Sequence, residues 1–206
     1  MGMVFGKIDV ECMPYTILRG LPRYEIRSYP TVVVAETFAG ASGAENNSFR
    51  KLAKYIGVFG VPENTRKDGG AQRIAMTGPV LTKGPQPIAM TAPVLSGNGV
   101  SMAFVLPKDM NLETAPKPLS QDIKLREIPP RICAVLQFTW NVRDDGAEKM
   151  AQDFITELRN DGLNTNGEWS LARYNPPFTI PFLRTNEIIV ELEDEGEVCR
   201  DSKDIS

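Results

Sequence analysis

The sequence predicts an α+β protein, in which antiparallel strands form a distorted barrel and two helices pack outside it. Two amphipathic helical patterns, and a strand–helix–strand–strand order that occurs twice, support this fold class. The chain has 206 residues, of which 42% are hydrophobic and 24% charged, an ordinary globular composition that can bury a core. We therefore expect a single domain over residues 1–193, built from two βαββ repeats related by a pseudo-twofold axis.

The first repeat begins with a β-rich run, Tyr24–Phe38, which a Gly/Ser-rich break ends. A helix is predicted from about Asn47 to Ile56, because apolar residues recur there at i, i+3, i+4 and i+7. These residues are Phe49, Leu52, Ala53 and Ile56. The glycines at 57 and 60 can end the helix.

A nearly identical segment then occurs twice, as Ile74–Leu81 (IAMTGPVL) and Ile88–Leu95 (IAMTAPVL). Strand alternation places the Ile and Met of each copy on one apolar face. The proline in each copy cannot donate a ladder hydrogen bond, so each strand should be short or lie at a sheet edge. A further buried strand is predicted at Ser101–Pro107.

The second repeat follows the same plan, with a β-rich run at Ile123–Trp140 and a helix from Ala147 to about Arg159. Two strands follow, at Glu168–Tyr174 and Asn186–Leu192. The links between neighbouring strands are short, which favours antiparallel pairing. The acidic, polar tail at residues 194–206 is predicted to be disordered.

Composition excludes several function classes. The chain has no histidine, which rules out Ser-His-Asp and Cys-His catalysis and any His-ligated metal. Three widely separated cysteines without metal-site spacing favour a reduced compartment such as the cytosol. A net charge of −3 without a Lys/Arg-rich run argues against nucleic acid as a partner, and no apolar stretch is long enough for a membrane span. The N-terminus resembles neither a secretory signal nor a transit peptide, although plastid association stays compatible with the sequence.

Four motifs in order resemble the SOUL / haem-binding protein family, with the plant and algal cytosolic branch the most similar. They are YEIRSYP at residues 24–30, AKYIGVFG at residues 53–60, the twin IAMTxPV segments, and ARYNPPFTIPFLRTNEIIVEL at residues 172–192. The resemblance covers about Val4 to Leu192. It implies a monomeric, non-enzymatic protein that binds haem b or another tetrapyrrole reversibly, for transport, buffering or delivery. A protein–protein module in signalling, which would use the same groove, is the alternative.

Some family members are said to ligate the haem iron with a histidine, which this chain lacks. The resemblance therefore implies either an apolar groove beside the first helix, with basic residues near the haem propionates, or an iron ligand that is a Met, Cys or Tyr. Arg50, Lys51 and Lys54 cluster on this helix, and Phe49 supplies an apolar contact. Arg50 and Lys54 are i, i+4 neighbours, and no acidic residue lies between Glu45 and Glu63. From the residues alone, a solvated helix face is the favoured explanation of these charges. The match to the family helix reverses this preference for Lys54.

The other candidate ligand-binding residues are apolar. Met76 and Met90 belong to the twin segments, and a soft thioether suits a planar ligand, although core packing is the simpler explanation. Phe178 and Ile180 lie on the proline-rich loop at residues 175–182, which is either a binding lid or a plug of the barrel end. No catalytic residues and no metal ligands are predicted.

Overall fold

The computed structural model describes residue 8 and residues 10–38, 45–83, 101–142, 144–176 and 179–193. The described residues form two compact units. The central unit takes residues 10–13 and 32–128, and the terminal unit takes residues 14–31 and those from 129 onward. Each unit contains one helix packed on one face of an antiparallel sheet. The structure confirms the α+β class with antiparallel strands and two helices.

The terminal unit has a sheet with the strand order β1-β2-β9-β11-β10. Helix α2 covers one face of this sheet and buries a core with Phe154, Ile155, Leu158 and Ile188. The elements are β1 (Thr16–Gly20), β2 (Glu25–Tyr29), β9 (Arg131–Phe138), α2 (Asp144–Asn160), β10 (Thr165–Arg173) and β11 (Asn186–Leu192). Strand β1 was not predicted, because none of its side chains is buried and it therefore shows no apolar alternation.

The central unit has the strand order β5-β6-β3-β8, with a separate pairing of β4 and β7. Helix α1 buries Leu52, Tyr55 and Ile56 against this sheet. The elements are β3 (Val32–Phe38), α1 (Glu45–Ile56), β4 (Asn64–Thr65), β5 (Val80–Lys83), β6 (Ser101–Val105), β7 (Lys117–Pro118) and β8 (Ile123–Ile128). Both predicted helices are thus present, α1 two residues and α2 three residues longer at the N-terminus than expected, and α2 one residue longer at the C-terminus.

The two longest predicted strands are each divided in two by proline residues. The run Tyr24–Phe38 is not one strand, because Pro30 separates β2 from β3. The run Ile123–Trp140 is divided in the same way by the prolines at 129 and 130, which separate β8 from β9. A proline has no N–H for the ladder and its ring restricts the preceding residue. The two halves of each run enter different units, so the compact units do not coincide with the two halves of the sequence.

The first IAMT segment is not the predicted strand. Residues 74–77 have no regular secondary structure, and the strand begins only at Val80. Ile74 is buried whereas Met76 is exposed, so the two side chains do not share a buried face as the alternation predicted. Instead Thr77 is buried, where its hydroxyl donates to the carbonyl of Val105. The second copy, with Met90, lies outside the described residues.

Neither described helix has the length and apolar character that crossing a membrane would require.

Candidate functional site

Helix α1 ends in a Schellman motif that fixes the chain after it. The N–H of Gly57 donates to the carbonyl of Lys54 (3.1 Å), and the N–H of Val58 donates to that of Ala53 (2.9 Å). Gly57 has φ +86°, a left-handed conformation that favours glycine. A Cβ at this position would also lie 2.6 Å from Cγ of Pro62. Glycine is therefore required here for two independent reasons.

The basic residues of α1 lie on its surface. Arg50 and Lys54 are exposed and Lys51 is half-buried. The Nζ of Lys51 lies 2.6 Å from Oδ2 of Asp122, and that of Lys54 lies 3.4 Å from Oε1 of Glu63. Within the described residues, Arg50 has no ion-pair partner. The helix is thus less free of acidic neighbours than the sequence suggested, but such surface pairs hold each other weakly and exchange readily.

Phe49 is half-buried and faces the sheet. Its ring lies 5.4 Å from that of Phe104, at an interplanar angle of 64°. This edge-to-face contact belongs to the core cluster of the central unit. Only the solvent-facing edge of Phe49 can contact a ligand.

Met76 lies on a segment that is hydrogen-bonded to the end of α1. The N–H of Ile74 donates to the carbonyl of Ile56 (3.0 Å), and Nη2 of Arg73 donates to the carbonyl of Gly60 (3.2 Å). The Met76 side chain is 37% exposed. An exposed thioether therefore lies three residues from the arginine that contacts the chain after α1.

The predicted proline-rich loop belongs to the terminal unit. Ile180 is half-buried there, and Phe178 lies outside the described residues. The exposed ring of Phe182 lies 6.4 Å from the ring of Trp140, which is also exposed. The loop is held by Arg184, whose Nε donates to the carbonyl of Thr179 (2.9 Å).

An exposed apolar loop at residues 57–61, hereafter the apolar loop, was missed by the sequence reasoning. Its side chains are those of Val58 (45% exposed), Phe59 (58%) and Val61 (79%). Gly57 and Gly60 both have positive φ. The signal was available, because three large apolar residues between and after two glycines cannot continue the helix and have no alternation that would bury them.

The terminal unit has an open groove of about 720 Å³ beside α2. Its apolar floor includes Leu136, Met150 and Phe154. Its charged lining consists of Arg23, Lys149, Asp153, Glu157 and Asp161. Acidic groups outnumber basic groups in this groove, which disfavours a dianionic ligand such as haem.

A buried polar network lies on the other face of the terminal sheet. The Nη1 of Arg27 donates to Oε1 of Glu187 (2.9 Å), and the hydroxyl of Tyr174 donates to Oε2 of the same carboxylate (2.6 Å). Burial and the charge of Glu187 raise the pKa of Tyr174 above its ordinary value. Burial alone would lower the pKa of Arg27, but Glu187, Tyr29 and Glu25 together outweigh it and raise the pKa, so the guanidinium stays charged. Burial also raises the pKa of the Cys133 thiol to about 11, which makes it a poor nucleophile or metal ligand at neutral pH.

A family model described as SOUL heme-binding protein matches residues 10–191 of the chain. The chain belongs to the SOUL haem-binding protein family. The match covers most of the sequence and all residues of the motifs that carried the resemblance except Leu192. Family membership supports haem binding as the general function of this SOUL protein.

Solved structures share the fold of this SOUL protein at low identity. The C-terminal domain of EcmrR has a TM-score of 0.53 at 9% identity, with 88% of this chain and 99% of that chain covered. An EcmrR chain in a complex with DNA has a TM-score of 0.56 at 9% identity, with 84% and 57% covered. An uncharacterized conserved protein from Listeria innocua has a TM-score of 0.53 at 12% identity, with 83% and 92% covered. No significant match to a curated protein was found.

Exposed basic and apolar side chains occur together around α1 of the SOUL central unit. Haem is planar and apolar, with two carboxylates at one edge. Arg50 and Lys54 provide exposed cations, and Met76 provides an exposed apolar side chain on a segment bonded to the same helix. In the described residues, no group of three or more Cys, Asp or Glu side chains is arranged to hold a metal ion.

Proposed function

We propose that this SOUL protein binds haem and related tetrapyrroles reversibly, without covalent attachment or histidine ligation, and carries or buffers them. The observation that carries the proposal is the charge of α1. By sequence the helix has three basic residues and one acidic residue, a net charge of +2 in a chain with a net charge of −3. An anionic, flat ligand is attracted to this surface and not to the acidic groove beside α2.

The residues take distinct roles in this proposal. Arg50 and Lys54 bind the two propionates, since their i, i+4 spacing puts them on one side of the helix. Lys51 is peripheral, because it is less exposed than Lys54 and its ion pair with Asp122 (2.6 Å) is closer than that of Lys54 with Glu63 (3.4 Å). Met76 and the open edge of Phe49 contact the ring. Met90, Phe178 and Ile180 stay predicted ligand contacts.

Binding by ring and propionates requires no general acid, base or nucleophile. The proposed role is therefore that of a carrier, in which release is as important as capture. Exposed cations fit this role, because ion pairs at the surface are weak enough to exchange with solvent. The bound group supplies redox or light-absorbing chemistry, and the chain supplies orientation and solubility.

The test reverses the charge of α1 and uses α2 as the matched control. Arg50→Glu with Lys54→Glu should weaken binding of free-acid haem at least several-fold, as measured by titration of the Soret band. Lys149→Glu with Arg159→Glu changes the net charge by the same amount on α2 and should leave binding unchanged. Haem dimethyl ester, which lacks the propionate charges, should bind all three proteins alike. Raised salt should weaken the binding of free-acid haem to the wild type and to the α2 variant, which both keep the native α1, and should leave the other combinations of protein and ligand unchanged.

Two results would contradict the proposal. An equal loss of haem affinity in the α1 and α2 variants would mean that the net charge acts at long range and that the binding site is not on α1. Iron-free protoporphyrin IX should bind within about tenfold of haem, which corresponds to roughly 1.4 kcal/mol. A much larger loss of affinity without iron would mean that an iron ligand exists. Binding of a partner protein in the absence of any tetrapyrrole would favour the signalling alternative.

A further inference from the structure

The apolar loop exposes three large side chains that nothing in the described structure covers. Val58, Phe59 and Val61 are each at least 45% exposed, and Val61 reaches 79%. Single exposed apolar residues are normal on a protein surface, but three within four residues form a continuous patch. Exposure of these side chains to water is unfavourable in free energy, and they do not contribute to the described core of the central unit.

The loop is held in one conformation. The Schellman motif fixes its start, and the positive φ of Gly60 turns the chain between Phe59 and Val61. The Nη2 of Arg73 donates to the carbonyl of Gly60, and the N–H of Glu63 donates to the carbonyl of Lys54 (3.0 Å). A loop that is already ordered loses little conformational entropy when its exposed side chains bind a second surface.

The surroundings of the loop are basic. Between Asn46 and Arg73 the sequence has six basic and two acidic residues, a local net charge of +4. The carbonyl of Lys54 accepts a hydrogen bond from the N–H of Gly57, and the side chain of Arg73 donates one to the carbonyl of Gly60. Arg50 lies one turn before Lys54. The acidic groups in this segment are Glu63, which pairs with Lys54, and Asp68, which pairs with Arg66. Asp122, from outside the segment, pairs with Lys51 and lowers the local net charge to +3. A rigid apolar tip beside net positive charge is complementary to an anionic bilayer, which offers acyl chains below a layer of phosphates.

We propose that the apolar loop docks this protein on the surface of anionic lipid bilayers. Phe59 and Val61 insert at the boundary of headgroups and acyl chains, and Lys54 and Arg73 contact lipid phosphates. The contact is peripheral and reversible, since each basic residue and each apolar side chain contributes only a part of the affinity. Lys54 is assigned to both ligands, whereas Phe59 and Val61 are not assigned to the tetrapyrrole site, so substitution of these two residues tests docking separately.

Vesicle co-flotation of the full chain, free of tetrapyrrole, tests the proposal. The wild type should float with vesicles of equimolar phosphatidylcholine and phosphatidylglycerol, and far less with phosphatidylcholine alone. Phe59→Ser with Val61→Ser should lower the affinity for anionic vesicles by at least about tenfold. Leu112→Ser removes another exposed apolar residue of the central unit and should float like the wild type. Raised salt should release the wild type.

The outcomes separate this inference from the haem site. Loss of flotation in the loop variant with haem affinity unchanged supports docking by the loop. Absence of wild-type flotation, or equal flotation of the loop variant, overturns the inference whatever the haem result. Loss of haem affinity in the loop variant without wild-type vesicle binding would assign the loop to the ligand site instead. Because all the substituted side chains are exposed, the variants are expected to fold, which the near-ultraviolet circular dichroism spectrum checks.

Discussion

The helices of the two units end in the same way and differ in charge. Both end in a Schellman motif, in which the N–H of Leu163 donates to the carbonyl of Leu158 after α2 just as that of Val58 donates to Ala53 after α1. By sequence, α1 has a net charge of +2, whereas α2 has five acidic and two basic residues and a net charge of −3. Backbone geometry is thus shared where the fold needs it. The charge of the solvent-facing side, which packing does not restrict, is what distinguishes the two units as ligand surfaces.

The sheets differ in a second respect, the burial of their ion pairs. In the terminal unit the side chains of Arg27 and Glu187 are only 3% and 5% exposed. In the central unit Arg126 donates from Nε to Oε2 of Glu36 (2.9 Å), but its side chain is 36% exposed. The first pair is isolated from water and the second is not, so the two carboxylates should contribute very differently to stability.

The largest effect is expected from the buried pair. Glu187→Ala leaves the buried guanidinium of Arg27 with only Glu25, whose side chain is 37% exposed, as its counter-charge. Removal of one partner of a buried pair typically costs about 3–5 kcal/mol of the free energy of unfolding. Glu36→Ala leaves Arg126 with access to water and should cost no more than about 1 kcal/mol. Urea unfolding of both variants, followed by circular dichroism, measures the difference. If the two variants lose equal stability, burial does not distinguish the pairs.

Periodicity predicted much of the fold because burial follows it. Helices α1 and α2 were located within three residues, since each has one apolar stripe against a sheet. The β-rich runs were located, but the positions at which they divide into two strands were not. The alternation of apolar residues continues across Pro30, whereas the strand is interrupted there. Strand β1, with no buried side chain, gave no such signal.

The candidate site was predicted less completely, because exposure depends on tertiary contacts. Ile74 and Met76 are equivalent in an ideal strand, but the hydrogen bond from Ile74 to Ile56 ties the segment to α1 and leaves Met76 at the surface. The acidic partner of Lys51 lies 71 residues away in the sequence, and that of Lys54 lies nine residues away. No local pattern reveals such pairs.

A smaller effect is expected at the two helix ends, where the shared motif has unequal surroundings. Gly57 and Gly162 both have positive φ, so alanine is strained at either position by about 1–2 kcal/mol. At Gly162 the new methyl group meets nothing within 4 Å, whereas at Gly57 it meets Pro62. Gly57→Ala should therefore be the more destabilising, by about 1–3 kcal/mol as for other overpacked sites. Equal melting temperatures for the two variants would mean that Pro62 moves aside without cost.

The smallest effect concerns the pH dependence of the exposed pair. Burial alone would raise the pKa of Glu36, but the hydrogen bond and charge of Arg126, with help from Ser101 and Lys83, lower it below its ordinary value of 4.5. A carboxyl group with a lowered pKa in the folded state stabilises the protein fully above its unfolded-state pKa. This stabilisation is lost as the pH falls through the lower, folded-state pKa. The wild type should thus be more stable than Glu36→Gln at neutral pH, and the difference should narrow only below about pH 4.5. Denaturant unfolding of both proteins between neutral and acidic pH measures this difference, in which the other carboxyl groups cancel. A difference that stays constant into the acidic range would show that protonation of Glu36 does not change the stability, so that the pair contributes by its geometry and not by its charge.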